Sequence, residues 1–142
     1  MGETPNSQYF AAADVSEDEI RDLVHTFYGR VRRDELIGPI FNVRVENWAE
    51  HLAKLCDFWS AVVLRTRRFE GRPMRVHLLM PEIRPEHFDR WLDLFEATAR
   101  EVVPQTAPVF IQRARQIADS FEFGMASQRG ELAAPRHVKR AT

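Results

Sequence analysis

Three of the chain's five histidines sit where an imidazole can do more than titrate in solvent. His77 is embedded in Val-His-Leu-Leu-Met and closed off by Pro81. His51 shares the apolar arc of a helical stretch with Trp48 and Leu55, one turn away on either side. His87 follows Pro85-Glu86 and leads into Phe-Asp-Arg-Trp. A histidine among aliphatic side chains costs free energy unless each ring nitrogen finds a partner. His77 and His51 are therefore either hydrogen-bonded core residues or ligands of something apolar. His87 lies near a helix N-terminus, roughly 80–100° off the apolar axis, and is expected at an edge. Hydrolytic zinc helices and di-iron bundles use His-Glu-x-x-His or paired Glu-x-x-His, and neither spacing occurs. There is no CxxC; the single Cys56 falls mid-helix without an activating neighbour and reads as a buried structural thiol. His25 and His137 have ordinary surface and tail explanations.

The elements that must position these residues are helical. Ser16 and Glu19 form a capping box, after which Ile20, Leu23, Val24, Phe27, Tyr28 and Val31 recur at helical spacing, predicting a helix over about 16–33. "LIGPIFN" (36–42) breaks the period with Gly38-Pro39 and reads as a tight corner. A second helix is expected over about 46–65, with Trp48, His51, Leu52, Leu55, Phe58, Trp59 and Val62 in one arc. "TRRFEGR" (66–72) is a polar loop, and Pro73 opens a short helix over 73–80. Pro85 opens another helix that places Phe88, Trp91, Leu92, Phe95, Ala99 and Val102 on one side. The last, about 106–126, carries Phe110, Ala114, Ile117, Phe121 and Met125. No segment alternates with period two, and the expected class is all-α. The expected division is a flexible extension over 1–14, one domain over 15–126, and a basic, disordered tail over 127–142.

One physical reading unites the histidines. A flat, apolar, iron-containing macrocycle needs a greasy slot, one imidazole from a short segment, and polar groups on its other face. Residues 73–80 would supply the imidazole. The helix carrying His51, together with Tyr28 and Trp91, would supply the opposite wall, because a buried phenol and a buried indole N–H both need partners.

The motifs "FYGRVRRDELIGPIFN" (27–42), "WAEHLAKLCDFW" (48–59), "RVHLLM" (75–80) and "HFDRWLDLFE" (87–96), in this order, resemble the truncated haemoglobins of group III. The similarity covers roughly residues 16–126. The glycine-pair motifs typical of groups I and II are not evident, in keeping with group III. The resemblance implies a two-on-two helical sandwich around heme b, iron protoporphyrin IX. It implies His77 as the proximal iron ligand. Tyr28, His51 and Trp91 then face the ligand side, Phe41 packs on the heme, and Leu55 and Trp59 continue the wall. Lys54 and Arg75 are the nearest basic candidates for the heme carboxylates, with plain solvated charges as the alternative. Phe58, Leu78, Met80, Phe95 and Phe110 are expected to bury the macrocycle.

The function so implied is binding of O2, CO and NO, with tight, slow-releasing oxygen binding. The alternative is a heme enzyme on the same scaffold, oxidising NO or working with peroxide, for which His51 would be the proton donor. That reading takes a separate reductase as partner. A heme-free helical interaction module is the third. Composition bounds these readings. With 20 Lys plus Arg against 21 Asp plus Glu, the net charge of −1 points to neither nucleic acid nor an acidic membrane as partner. The basic excess is local: Arg129, Arg136, Lys139 and Arg140 face Glu131 alone in the tail. A single cysteine, no secretory pattern in MGETPNSQYF and no long apolar run lead us to expect a cytoplasmic location.

Overall fold

A computed structural model describes residues 15–69, 82–131 and 134–138. The expected short helix over 73–80, and with it Arg75, His77, Leu78 and Met80, lies outside the described residues. Helix α1 spans Glu17–Arg33. Its capping box is complete, with Ser16 Oγ accepting from the Glu19 N–H and the Glu19 carboxylate accepting from the Ser16 N–H, each at 3.1 Å. Acidic side chains fill its first turn and basic ones its last, both favourable to the helix dipole. It buries the six residues that the period marked, Ile20, Leu23, Val24, Phe27, Tyr28 and Val31.

The chain turns at Asp34. Its carboxylate accepts from the Leu36 and Ile37 N–H groups at 3.0 Å each and from Arg90 at 2.7 Å. Burial works to raise this carboxyl, but Arg90 and the two N–H groups hold it below its ordinary value. The stretch 36–42 is not simply a corner, as the breakers Gly38 and Pro39 had suggested. It contains most of α2, Gly38–Arg44. Proline is tolerated in a first helical turn because its missing N–H has no intrahelical acceptor there. Gly38 is required for packing, since a Cβ there would stand 2.9 Å from the Val31 carbonyl oxygen and 3.0 Å from that of Arg32.

Helix α3 runs Trp48–Leu64 behind an Asn47 cap, and Arg65 ends it in the left-handed region at φ 59°. Helix α4, Pro85–Val102, and α5, Ala107–Gln128, complete the fold. Helix α1 packs on α3, α4 packs on α5, and α1–α4 contacts join the two pairs, giving a two-on-two arrangement. Between them lies an aromatic column. Trp59 stacks on Phe95 at 5.1 Å, Phe95 stacks on Trp91 at 5.5 Å, and Phe27 meets Phe95 and Trp91 edge-on. Among the described residues no helix is long and apolar enough to cross a membrane.

The reading of 127–142 as a disordered tail needs correcting in part. Helix α5 continues to Gln128, and Arg136, His137 and Val138 donate backbone N–H groups to the Asp119 carboxylate at 2.9 Å. His137, taken for an ordinary tail histidine, is 1% exposed. The acceptors lie far back in sequence, so low apolar content alone misled.

One buried ion pair staples α4 to α5: Arg115 donates to Glu96 through two bonds of 2.9 and 3.0 Å, and both side chains are under a tenth exposed. Removing one partner of such a pair leaves the other's buried charge poorly compensated and costs about 3–5 kcal/mol, although Arg100 also reaches Glu96, at 3.5 Å. Arg115→Ala is expected to lower the urea-unfolding free energy by about that amount, whereas Arg21→Ala, at the exposed pair with Asp18, changes it by less than about 1 kcal/mol. Equal effects from the two substitutions would contradict the assignment of Arg115–Glu96 as a structural staple.

Candidate functional site

The two helix pairs enclose a cavity of about 780 Å³, within the range of roughly 300–1,000 Å³ usual for cofactor and ligand pockets. Each of the five elements contributes to its lining. Helix α1 supplies Tyr28, α2 supplies Phe41, α3 supplies His51, Lys54, Leu55 and Phe58, and α4 supplies His87, Phe88 and Trp91. Ile117, Ala118 and Phe121 of α5 close the far side. Most of the lining surface among the described residues is apolar, and the charged members, Arg44, Glu46, Glu50 and Lys54, are all exposed at its edge.

Tyr28 is buried in the wall. Its ring meets Phe27 at 4.7 Å, Phe41 at 5.8 Å, Trp48 at 6.4 Å and His51 at 6.5 Å. This cage follows from helical spacing on α1 and α3 together with α2, which brings Phe41 back across the turn. Burial pushes the Tyr28 phenol up to about 12, opposed in part by the Trp91 indole N–H. The hydroxyl is thus a hydrogen-bond donor throughout the neutral range. Trp91 faces the same space, fixed by its stack on Phe95.

His51 is half-buried and meets Trp48 edge-on at 5.5 Å. Burial lowers its pKa, and the Lys54 ammonium one turn away adds to the shift. The imidazole is therefore neutral at pH 7, able to donate from one nitrogen and accept at the other. Above Trp48 lies the Arg32 guanidinium, 4.6 Å from the ring centroid, which fixes the outer side of this wall. Lys54 is exposed on the rim.

Of the residues singled out in the sequence, Tyr28, Phe41, His51, Lys54, Leu55 and Trp91 all line this one cavity. Arg75 and His77 lie outside the described residues. Phe58 and Trp59 line it as expected, whereas Phe95 and Phe110 are not among the lining residues and are fully buried beside Trp59. Cys56 is half-buried rather than buried, and burial raises its thiol pKa, which leaves it a poor nucleophile. His87 does stand at an edge, but that edge belongs to the cavity. Its Nδ1 accepts the Arg84 N–H at 2.8 Å, so the neutral ring carries its proton on Nε2. Arg44, ion-paired with Glu82 across the rim, was missed, because nothing in the α2 sequence marks which basic residue ends beside the loop before α4.

An all-α sandwich of two helix pairs, built around an aromatic-lined slot with a phenol, an indole and an imidazole in its wall, defines a globin-type cofactor pocket. The comparisons agree. Residues 15–123 match the family model of the bacterial-like globins. The chain is 36% identical over 113 residues to Group 3 truncated hemoglobin ctb of Campylobacter jejuni, covering 76% of this chain and 89% of that protein. It also superposes on the crystal structure of group III truncated hemoglobin from Campylobacter jejuni with a TM-score of 0.72 at 35% identity, covering 76% of this chain and 89% of the other. The chain belongs to the bacterial-like globins and, within them, to the group III truncated hemoglobins. Membership implies a heme cofactor.

The two electrostatic assignments in the wall can be tested directly. Alkaline absorbance titration should show a tyrosine ionising near pH 12, and Tyr28→Phe should remove that step. In NMR titrations His51 should lose its proton below the ordinary histidine value, and Lys54→Ala should move it part of the way back. An unshifted His51 would mean that its ring is solvated rather than part of the wall.

Proposed function

We propose that this chain binds heme b in the cavity through His77 and uses Tyr28 and Trp91 to hold a diatomic gas. The observation that carries this reading is the meeting of Tyr28, His51 and Trp91, from three different helices, on one apolar cavity of about 780 Å³. The residues present fit the group. Phe41, Phe58 and Phe88 offer flat apolar surface, Leu55 adds aliphatic surface, and Lys54 on the rim is a cation that could pair with a heme carboxylate. With one cysteine the chain lacks the C-x-x-C-H attachment of c-type heme, which supports a cofactor held without covalent bonds.

When bound, heme would supply an iron atom able to take up O2, CO or NO. The chain's own residues do the rest. Tyr28 is neutral at pH 7 in any case, and burial holds it further from the phenolate, so it presents an O–H donor to a partly negative ligand atom. Trp91 can only donate, and its stack on Phe95 holds the indole without rotamer freedom to lose. Hydrogen bonds to charged acceptors are worth about 1.5–3 kcal/mol each, so two together slow release of O2 by roughly a hundredfold or more. Such a site suits retention or chemistry better than bulk delivery. A second reading draws on His51, whose neutral, half-buried ring near the mouth can carry a proton inward. In that reading the site oxidises NO or uses peroxide, with electrons from a separate reductase.

Reconstitution with heme tests the assignment. Wild-type protein and His87→Ala should give the ferrous five-coordinate histidine spectrum, and His77→Ala should not. Equal spectra from all three would remove His77 as the ligand. Tyr28→Phe and Trp91→Phe should each speed O2 release by at least about tenfold. Unchanged rates in both would end the slow-release reading.

A further inference from the structure

Residues 134–138 lie beyond the family match, which ends at residue 123, yet they are seated on the fold by a dense set of charged contacts. The N–H groups of Arg136, His137 and Val138 converge on the Asp119 carboxylate. The Arg136 guanidinium spans two helices, donating to Glu122 of α5 at 2.8 and 2.7 Å and to Asp89 of α4 at 2.9 Å. His137 places Nε2 2.7 Å from the Glu122 carboxylate. Asp89, Glu122 and His137 are metal-ligand types in one cluster, but the Arg136 guanidinium is already bonded to both carboxylates and meets their need for a cation.

What these contacts hold together is a cavity wall. Asp89 follows Phe88, and Glu122 follows Phe121. Phe88 and Phe121 meet edge-on with their rings 6.4 Å apart, and both line the cavity. Asp119 in turn follows Ala118, another lining residue. Drawing Asp89 towards Glu122 therefore closes the seam between the start of α4 and α5 from behind. Asp119 reinforces this. Burial works to raise its carboxyl, while the three N–H groups hold it below its ordinary value, as expected for a strap bound to the charged form.

We propose that residues 134–138 form a clasp that braces the α4–α5 wall and sets how fast the cavity exchanges its occupant, with Arg136 as the positioning residue. The rate in question rests on the heme reading; the bracing does not. The test compares wild type, Arg136→Ala/His137→Ala, Arg136→Lys, and Arg30→Ala, which breaks a tie from α1 to Thr98 and Glu101 of α4 away from the clasp. Heme transfer to an excess of apomyoglobin gives the loss rate, and hydrogen exchange reads the clasp and the helices. In the double variant heme loss should rise roughly tenfold or more, the size expected from losing a hydrogen bond to a charged group. Exchange should rise at 85–92 and 117–122 with total helicity unchanged. Arg136→Lys should restore part of the difference, and Arg30→Ala should leave heme loss near wild type.

Wild-type heme loss in the double variant, while exchange shows residues 134–138 released, would overturn the proposal. So would an equal rise in Arg30→Ala, which would mark general destabilisation. If wild-type protein takes up no heme, the proposed function fails, and the clasp is judged on the apo protein alone. Faster exchange at Phe88 and Phe121 in the double variant would support it, and unchanged exchange there would overturn it.

Discussion

An open apolar slot in a small helical protein tends to collapse, and the stack of Trp59, Phe95 and Trp91 opposes that collapse. Empty apolar space costs stability in proportion to its volume, and a space of about 780 Å³ is far larger than the gap left by a truncated core side chain. The space is thus sustainable only when filled by a cofactor or water and when its walls cannot fall inward. The three stacked rings, with Phe27 wedged against two of them, form one unit across α1, α3 and α4. Trp59 and Trp91 turn toward the cavity, while Phe95 between them stays in the core. Site and core are therefore continuous, and a change in Phe95 is felt by the indole that faces the ligand.

The polar groups of the site depend on the same packing. Burial disfavours the Tyr28 phenolate, and burial together with the Lys54 charge disfavours the His51 imidazolium. The larger cause in both is the low-dielectric wall rather than a dedicated ion pair. The charged residues near the site are on its rim, where Lys54 is exposed and Arg44 pairs with Glu82. A pocket so graded, neutral donors within and charges of both signs at the mouth, suits a largely apolar guest.

Much of this was legible in the sequence, and the residues show why. Helix α1 could be read almost residue by residue, because a capping box fixes its start and one apolar face its register. The period finds what is buried but not what it is buried against. Phe41 and Leu55 were assigned to the cavity through family resemblance, whereas Phe95 and Phe110 share the same apolar character and prove to be core. Gly38-Pro39 misled because both residues break a helix in its middle yet suit its first turn. His137 misled for another reason: its burial depends on Asp119 and Glu122, which look like solvated surface charges until the chain returns to them.

The central claim is that the slot framed by this aromatic column is a heme site, and titration of the apo protein with hemin under tryptophan fluorescence tests it most directly. Trp59 and Trp91 line the cavity and Trp48 packs beside Tyr28 and His51, so a bound heme would lie close enough to quench all three. The account predicts strong quenching that saturates at one hemin per chain, and a smaller absolute change when Trp91→Phe removes one of the three reporters. Weak, non-saturating quenching, unchanged by Trp91→Phe, would contradict it.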